Sequence, residues 1–305
     1  MPITKRERKS KFIHLNDTVK KPGIVCGPFH ALSYYIGCPF ACSYCYLQGT
    51  FRGKIDPVVY TNREKLLAEL DEWLKLPGSL RLNAGELEDS LALDGYIPMV
   101  DDLVPRFAAQ KRHKLILVTK ATKIKNLLKH DPKGQTVVSF SISCKTAWKK
   151  FEKGTPHPSK RIEAAKQVKE AGYYVTLRLD PMLPIDNWQQ EYAETIQLVY
   201  KTFKPDQWTI GSIRFFPSLP MWTAKVGRST NVYNFNCERC KEDGRYRLPL
   251  EVRAELYTFA GKQIRKHDKK VPIRFCKETT SLYRILRLKP NGCCYTQAMQ
   301  NGHLV

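Results

Sequence analysis

The residues with the clearest chemical potential are three cysteines in one short loop. Cys38, Cys42 and Cys45 are spaced C-x3-C-x2-C, directly after the strand-like run 32–36. Three thiolates from one loop can bind three irons of a [4Fe–4S] cube, which leaves the fourth iron open to an external ligand. Zinc sites usually close four ligands with paired C-x2-C elements, which this loop lacks. The spacing therefore predicts a catalytic cluster, with a zinc site or three unrelated core cysteines as the alternatives.

The composition bounds the class of protein. The chain has 305 residues, ten cysteines and a formal net charge of +22. That charge favours polyanions, with nucleic acid as the first candidate and a basic surface that only aids solubility as the alternative. We find no apolar run long enough to cross a membrane and no secretory signal behind the basic N-terminus. We therefore expect a cytoplasmic protein without a membrane partner, whose cysteines serve metal or catalytic roles rather than disulfides.

Strands and helices alternate along most of the chain. We predict strands at 32–36, 80–84, 114–119, 136–143, 173–179 and 207–215, with helical patterns between them. Such alternation is typical of an α/β fold with parallel strands, in which chemistry lies at the carboxyl ends of the strands. We assign residues 1–25 to a basic arm that is loose or lies on the surface, 26–216 to the barrel or sheet, and 217–305 to a loop-rich and helical C-terminal extension.

Polar residues occur where the predicted strands end. A glycine there lets the backbone approach a ligand, and a lysine ammonium can pair with a ligand carboxylate. The residues are Asn83 to Glu86 after the second strand, Thr119 and Lys120 after the third, Ser139, Ser141 and Ser143 along the fourth, and Arg178 to Asp180 at the end of the fifth. Parallel pairing would bring these groups together at one edge.

The cysteine loop, with Tyr44 before its last cysteine, resembles the signature of the radical S-adenosylmethionine (radical SAM) superfamily. The resemblance implies a partial (β/α)6 barrel, a [4Fe–4S] cluster and S-adenosyl-L-methionine as a second cofactor. In that superfamily the open iron binds the methionine moiety, and reduction yields a 5′-deoxyadenosyl radical that abstracts hydrogen from the substrate. Gly85 and Glu86 resemble the element that holds the methionine ammonium group.

Several elements together resemble the spore photoproduct lyase family within that superfamily. They are the cluster loop, the stretch 85–94, Thr119 with Lys120, Ser141, and Arg178 to Pro181. The resemblance implies that Cys38, Cys42 and Cys45 ligate the cluster. It also implies a cofactor site, to which we assign Tyr44, Gly85, Glu86, Ser90, Lys120, Ser141 and Asp180. The implied partners are DNA and an electron donor such as flavodoxin or ferredoxin, and the oligomeric state stays open.

One departure from the family concerns hydrogen return. The lyases split a methylene-linked thymine dimer and carry a cysteine after the second strand that returns a hydrogen atom; this chain has Glu88 or Asp89 there. A carboxylate has no weak S–H bond to give, so dimer repair by the lyase route is not expected here. Our candidate catalytic residues are Glu88, Asp89 and Tyr46, with Cys144 as a weaker substitute for the hydrogen donor. The carboxylates would bind or deprotonate a substrate amine.

The function expected from this resemblance is repair, modification or isomerisation of a thymine-type base in DNA. Hypermodification of a thymine derivative, as in some phage pathways, is consistent with the missing cysteine. Two alternatives remain, which are radical chemistry on a small molecule or peptide, and a nucleic-acid-binding protein with a structural cluster.

The C-terminal third carries a second set of candidate residues. Basic and aromatic side chains that suit phosphate contact and base stacking alternate over residues 217–247, although an ordinary exposed loop is equally consistent. They are Arg228, Arg239, Arg245 and Arg247 with Tyr233, Phe235 and Tyr246. A second metal site, either zinc or an auxiliary iron–sulfur cluster, is predicted from Cys237, Cys240, Cys276 and Cys293, with Cys294 beside them; otherwise these are free thiols.

Overall fold

The computed structural model describes residues 2–16, 23–290 and 292. Its strands are β1 (Thr4–Arg6), β2 (Ile13–Asn16), β3 (Ile24–Val25), β4 (Phe29–Leu32), β5 (Tyr35–Ile36), β6 (Ala41–Cys42), β7 (Val58–Tyr60), β8 (Arg81–Asn83), β9 (Lys114–Thr119), β10 (Thr136–Ile142), β11 (Glu152–Lys153), β12 (Tyr174–Met182), β13 (Gln207–Ser212), β14 (Arg214–Phe215), β15 (Glu238–Arg239), β16 (Tyr246–Arg247), β17 (Ile273–Phe275) and β18 (Glu278–Thr279). Its helices are α1 (Leu47–Thr50), α2 (Arg63–Leu74), α3 (Val100–Ala108), α4 (Lys145–Phe151), α5 (Pro158–Glu170), α6 (Trp188–Thr202), α7 (Leu219–Lys225), α8 (Leu250–His267) and α9 (Thr280–Ile285).

A central sheet organises the chain as an α/β fold. Its strand order is β17-β13-β12-β10-β9-β8-β4-β2, and every neighbouring pair from β4 to β17 is parallel. Strand β2 alone pairs antiparallel, with β4. All seven residues of β10 are buried, as expected for a strand covered on both faces. The parallel strands therefore end along one edge, where the loops that carry polar residues begin.

The later five predicted strands are confirmed, but the first is wrong. The parallel strand is β4, which ends at Leu32, while Tyr35 and Ile36 form β5 in a separate sheet with β1 and β7. The buried hydroxyls of Tyr34 and Tyr35 donate to the carbonyls of Ser90 and Asp89. Buried phenols need such partners. These two tyrosines therefore leave the sheet and hold the loop that follows β8.

Both ends of the chain also contribute to the fold. The prediction of a basic arm that is loose or lies on the surface is wrong for residues 13–16, which form β2 beside β4, with Phe12 and Ile13 buried in the core. Residues 4–6 form the exposed strand β1, in agreement with the surface alternative. The C-terminal extension supplies β17, which extends the sheet beyond β13. The boundaries at residues 25 and 216 stay a prediction. No helix in the described part of the chain has the length and apolarity needed to span a membrane.

Candidate active site

A cavity of about 360 Å³ opens where the parallel strands end. The loop after β5 lines it with all three predicted cluster ligands, Cys38, Cys42 and Cys45. The other predicted site residues that line it are Tyr44, Tyr46, Gly85, Glu86, Glu88, Asp89, Lys120, Ser141 and Asp180. The fold thus brings together predicted site residues that are far apart in the chain; Cys38 and Asp180, the two most distant, are separated by 142 positions.

The cluster loop is held from both sides. The buried Gln48 amide donates to the carbonyls of Ser43 and Cys45, each at 2.9 Å. From the C-terminal extension, Arg228 donates to the Cys42 carbonyl at 3.1 Å. These hydrogen bonds to carbonyl oxygens fix the backbone of the cluster loop. The three thiols of the loop line the cavity. Sequence reasoning missed Gln48, and it assigned Arg228 to phosphate contact rather than to the cluster loop, because neither residue is part of a motif.

The three thiols suit an iron–sulfur cluster. Burial raises the pKa of Cys38, Cys42 and Cys45 above that of an ordinary thiol, and the pKa of Cys42 rises to about 12. Such thiols become thiolates when a metal cation compensates their charge. Within the described residues no group of three His, Cys, Asp or Glu side chains converges on a single ion. A cube does not require such convergence, since each thiolate binds a different iron.

A buried ion pair lies behind the loop. Arg161 and Glu152 are joined at 2.6 Å and their side chains are 0% and 2% exposed. The Tyr44 hydroxyl donates to Glu152, and Glu152 lies opposite Cys42 in the β6–β11 pair. Burial would raise the pKa of Glu152, but Arg161 and Lys120 outweigh it, so that the pKa falls below its ordinary value. This carboxylate therefore stays ionised and positions the cluster loop.

Asp89 is committed to the structure. Its carboxylate accepts hydrogen bonds from the Thr119 hydroxyl and the Lys120 amide, both at 2.6 Å, and from the amides of Leu91 and Ala92. These bonds tie the loop after β8 to the end of β9. Burial raises the pKa of Asp89 and these hydrogen bonds lower it only in part, but both carboxylate oxygens are already occupied by donors from the protein. The geometry thus argues against Asp89 as a catalytic residue, whose candidacy stays a prediction.

Ser90 does not line the cavity. Its hydroxyl donates to the Ala84 carbonyl at 2.6 Å and accepts from the Val118 amide at 2.8 Å. A Cβ on Gly85 would lie 2.8 Å from that hydroxyl and 2.9 Å from the Val118 side chain. Ser90 therefore acts as a positioning residue in this structure. Packing against Ser90 and Val118 requires a glycine at position 85, and the predicted cofactor contact of Gly85, which lines the cavity, stays a prediction.

Glu88 contrasts with its neighbour. The residue lines the cavity and is 5% exposed, yet neither carboxylate oxygen has a hydrogen-bond partner in the described structure. Burial raises the pKa of Glu88 well above its ordinary value, and the carboxylates of Glu86 and Asp89 raise it further. Buried carboxyl groups without partners are costly and therefore indicate a site that is completed by a ligand.

Glu86 contacts both Tyr46 and a lysine of the C-terminal extension. The Tyr46 hydroxyl donates to the Glu86 carbonyl, and the Glu86 carboxylate pairs with Lys277 at 2.9 Å. Lys277 also lines the cavity. The sequence offered no signal for this lysine, which lies 191 positions from its partner. If Glu86 binds the cofactor as predicted, the cofactor and Lys277 would both contact the Glu86 carboxylate.

Asp180 lies in a second buried charge cluster. Its carboxylate pairs with Arg214 at 2.9 Å and with Arg178 at 3.1 Å. Burial would raise the pKa of Asp180, but the two guanidinium groups outweigh it and hold the pKa well below its ordinary value. Arg178 also donates to the Cys276 sulfur at 2.8 Å. Asp180 is thus a fixed anion at the cavity wall.

Gly211 provides the space that this anion occupies, which yields a prediction. In Gly211→Ala the added methyl group would overlap the Asp180 carboxylate and move it away from Arg214. We expect a loss of about 1–3 kcal/mol in the free energy of unfolding, measured with urea. The control is Gly261→Ala in α8, where no atom lies within 4 Å of the new methyl group. Equal stability of the two variants would contradict the assigned role of Gly211.

The predicted second metal site is not assembled within the described residues. The Cys240 thiol donates to Glu242 at 3.1 Å, whereas the Cys276 sulfur accepts a hydrogen bond from Arg178 at 2.8 Å. No metal-binding group that includes Cys237 was found there. Cys293 and Cys294 lie outside the described residues, so their part in the site stays a prediction.

The predicted nucleic-acid contacts of the extension divide into two groups. Arg228 binds the cluster loop, and Arg247 is 1% exposed and pairs with Asp243 at 2.7 Å, so neither presents its guanidinium freely to a phosphate. Arg245 lines the cavity and lies over the Phe216 ring at 4.6 Å. Arg239 is exposed and stays a candidate for phosphate contact.

Comparison with known proteins identifies the family. The model of the family described as spore photoproduct lyase matches residues 13–215. The chain belongs to the spore photoproduct lyase family. This confirms the resemblance inferred from the cluster loop. The family match ends before Phe216, so the lining residues Phe216, Arg245 and Lys277 lie outside it.

Individual relatives agree with this assignment. The spore photoproduct lyase of Bacillus subtilis (strain 168) is 32% identical over 170 residues, which cover 55% of this chain and 50% of that protein. The match thus spans about half the length of this curated relative. A solved spore photoproduct lyase complexed with dinucleoside spore photoproduct superposes with a TM-score of 0.77 at 21% identity, covering 90% of this chain and 82% of that one. A solved mutant of spore photoproduct lyase with bound AdoMet and dinucleoside spore photoproduct superposes with a TM-score of 0.74 at 22% identity, covering 89% of this chain and 81% of that one. These two likenesses concern the fold.

Proposed function

We propose that this chain is a radical SAM enzyme that acts on a thymine-type pyrimidine base in DNA. The observation that carries the proposal is the shared cavity, onto which Cys38, Cys42 and Cys45 open together with Lys120 and Ser141. The cysteines would hold a [4Fe–4S] cluster, and the parallel strands would form a partial (β/α)6 barrel. When bound, the cluster and S-adenosyl-L-methionine supply a 5′-deoxyadenosyl radical.

The cavity residues have separate tasks in this proposal. Lys120 lies with its ammonium 5.6 Å from the Tyr44 ring centre and forms no salt bridge within the described residues, so it can pair with the cofactor carboxylate. Tyr44 and Glu152 hold the loop that carries the cysteines. A bound base and cofactor would fill the cavity and displace water that would otherwise compete for these polar contacts.

DNA as the substrate is supported by charge and by relatives. The net charge of +22 favours a polyanion. Spore photoproduct lyase has been solved with its dinucleoside photoproduct bound. A base in a duplex would have to leave the stack to enter the cavity, at a cost of a few kcal/mol. Arg245 lines the cavity and lies over the Phe216 ring, so its guanidinium suits the anionic backbone near such a base.

Modification or isomerisation fits the cavity better than dimer repair. The cluster ligands are the only cysteines among the described residues that line it, and Cys144 is fully buried elsewhere. A repair route that returns hydrogen from a thiol therefore has no donor in the described wall. An isomerisation that takes its hydrogen back from 5′-deoxyadenosine needs none.

The test is formation of 5′-deoxyadenosine. We expect anaerobically reconstituted protein, reduced with dithionite in the presence of S-adenosyl-L-methionine and without DNA, to form it by uncoupled cleavage of the cofactor. DNA that is deuterated in its thymine-type methyl or substituent group should transfer label to 5′-deoxyadenosine or, where the hydrogen is returned to the product, to the recovered S-adenosyl-L-methionine, which chromatography with mass spectrometry measures. Protein that holds a cluster yet forms no 5′-deoxyadenosine under any reductant would instead be a binding protein with a structural cluster. Formation of 5′-deoxyadenosine without any transfer of deuterium from DNA would favour a small-molecule or peptide substrate.

A further inference from the structure

We infer that Glu88 is the residue that determines substrate specificity, and that the substrate base carries a basic nitrogen, such as an amine substituent, which binds to it. The inference rests on the proposed function and deepens it, because it names the class of pyrimidine. It also separates this chain from relatives that act on an uncharged thymine dimer.

The first support is that neither Glu88 oxygen receives a hydrogen bond from a side chain in the described structure. Glu88 lines the cavity and is 5% exposed, and the Leu87 amide is the backbone group that acts on its carboxylate. Native proteins rarely leave buried polar atoms without a partner, and exceptions call for a functional explanation. A ligand with N–H groups would supply the missing donors.

The second support is that the other carboxylates of the cavity already have partners. Asp89 accepts four hydrogen bonds, Asp180 pairs with two arginines, and Glu86 pairs with Lys277. Glu88 is therefore the acidic side chain in the described wall that a cationic ligand can bind without breaking an existing contact.

The third support is that the cations near Glu88 are engaged elsewhere, apart from Lys120, which has no salt bridge in the described structure and is assigned above to the cofactor carboxylate. Lys277 pairs with Glu86, Arg214 pairs with Asp180, and Arg245 lies 3.8 Å from Asp243. Arg8, whose charge acts on Glu88, donates to the Ser33 carbonyl and the Ser10 hydroxyl. The protein thus offers Glu88 no direct counter-ion in the described structure. An ammonium group from a ligand would turn a costly buried carboxyl into a favourable ion pair.

The experiment compares binding of two oligonucleotides to the reconstituted full chain. Both are single-stranded DNA with one central modified pyrimidine, either 5-aminomethyluracil or thymine, and fluorescence anisotropy gives the two dissociation constants. We expect the amine-bearing strand to bind at least about 10-fold more tightly, which equals about 1.4 kcal/mol. In Glu88→Gln we expect this preference to vanish while binding of the thymine strand is kept.

The variants and readouts keep the inference falsifiable. Glu88→Gln removes a carboxyl that no residue pairs with, so it should fold, which its unfolding curve checks. Glu163→Gln, on the exposed surface of α5, is the matched control and should keep the full preference. Equal binding of the two strands by the native protein would overturn the inference, as would a preference that survives in Glu88→Gln. Weaker S-adenosyl-L-methionine binding in Glu88→Gln with the strand preference intact would also overturn it, by assigning Glu88 to the cofactor. Since 5′-deoxyadenosine formation tests the proposed function, the two can fail separately.

Discussion

Cys42→Ala protein should hold no stable [4Fe–4S] cluster after anaerobic reconstitution and should form no 5′-deoxyadenosine. Two thiolates, Cys38 and Cys45, would remain for a cube that needs three from this loop. We expect a complete loss of activity, because no other described cysteine lines the cavity to replace the ligand. Iron and sulfide analysis and the visible absorption of the cluster measure the first effect, and chromatography measures the second.

The control for this prediction is Cys144→Ala. Cys144 is fully buried but does not line the cavity, so its removal should leave iron content and 5′-deoxyadenosine formation near the native level. A Cys42→Ala protein with native iron content would show that the loop cysteines are not the cluster ligands. In that case the proposed function loses its central observation.

Arg161→Met should cost about 3–5 kcal/mol in the free energy of unfolding, the largest stability effect we predict. The variant leaves Glu152 as an unpaired charge whose side chain is 2% exposed. It also removes donors to the Ser141 carbonyl and the Thr155 hydroxyl. Because Glu152 holds Tyr44 and lies opposite Cys42, we further expect reduced iron uptake. Urea unfolding and iron analysis measure the two effects.

Two comparisons isolate the buried pair. Lys75→Met breaks a surface pair with Glu72 whose side chains are 70% and 72% exposed, and should change stability little. The double variant Glu152→Leu/Arg161→Met removes both charges, so it should be less destabilised than Arg161→Met alone. If Arg161→Met costs no more than Lys75→Met, the ion pair does not support the loop.

The cluster loop was predictable because its information is local. Cys38, Cys42 and Cys45 lie within eight residues, and their spacing alone indicated three ligands for a cube. Runs of apolar residues indicated β8, β9, β10, β12 and β13, since buried parallel strands are apolar on both faces. Parallel pairing then implied that Lys120, Ser141 and Asp180 would meet at one edge, as they do.

Adjacent carboxylates illustrate what a sequence pattern does not resolve. Glu88 and Asp89 have the same charge and were equivalent candidates, yet Asp89 binds Thr119 and Lys120 while Glu88 has no partner in the described structure. The difference arises because the Asp89 side chain lies against the end of β9, whereas the Glu88 side chain does not. Local sequence preferences do not determine this contact between two distant segments.

Long-range contacts set the remaining features of the site. Arg228 binds Cys42 across 186 positions, and Lys277 pairs with Glu86 across 191. Residues that lie this far apart share no spacing rule. Lys277, for example, follows β17, which the fold places beside β13 at the edge of the sheet. Local spacing therefore defined the cluster ligands and the strands, whereas packing between distant segments determined which carboxylate stays available to a substrate.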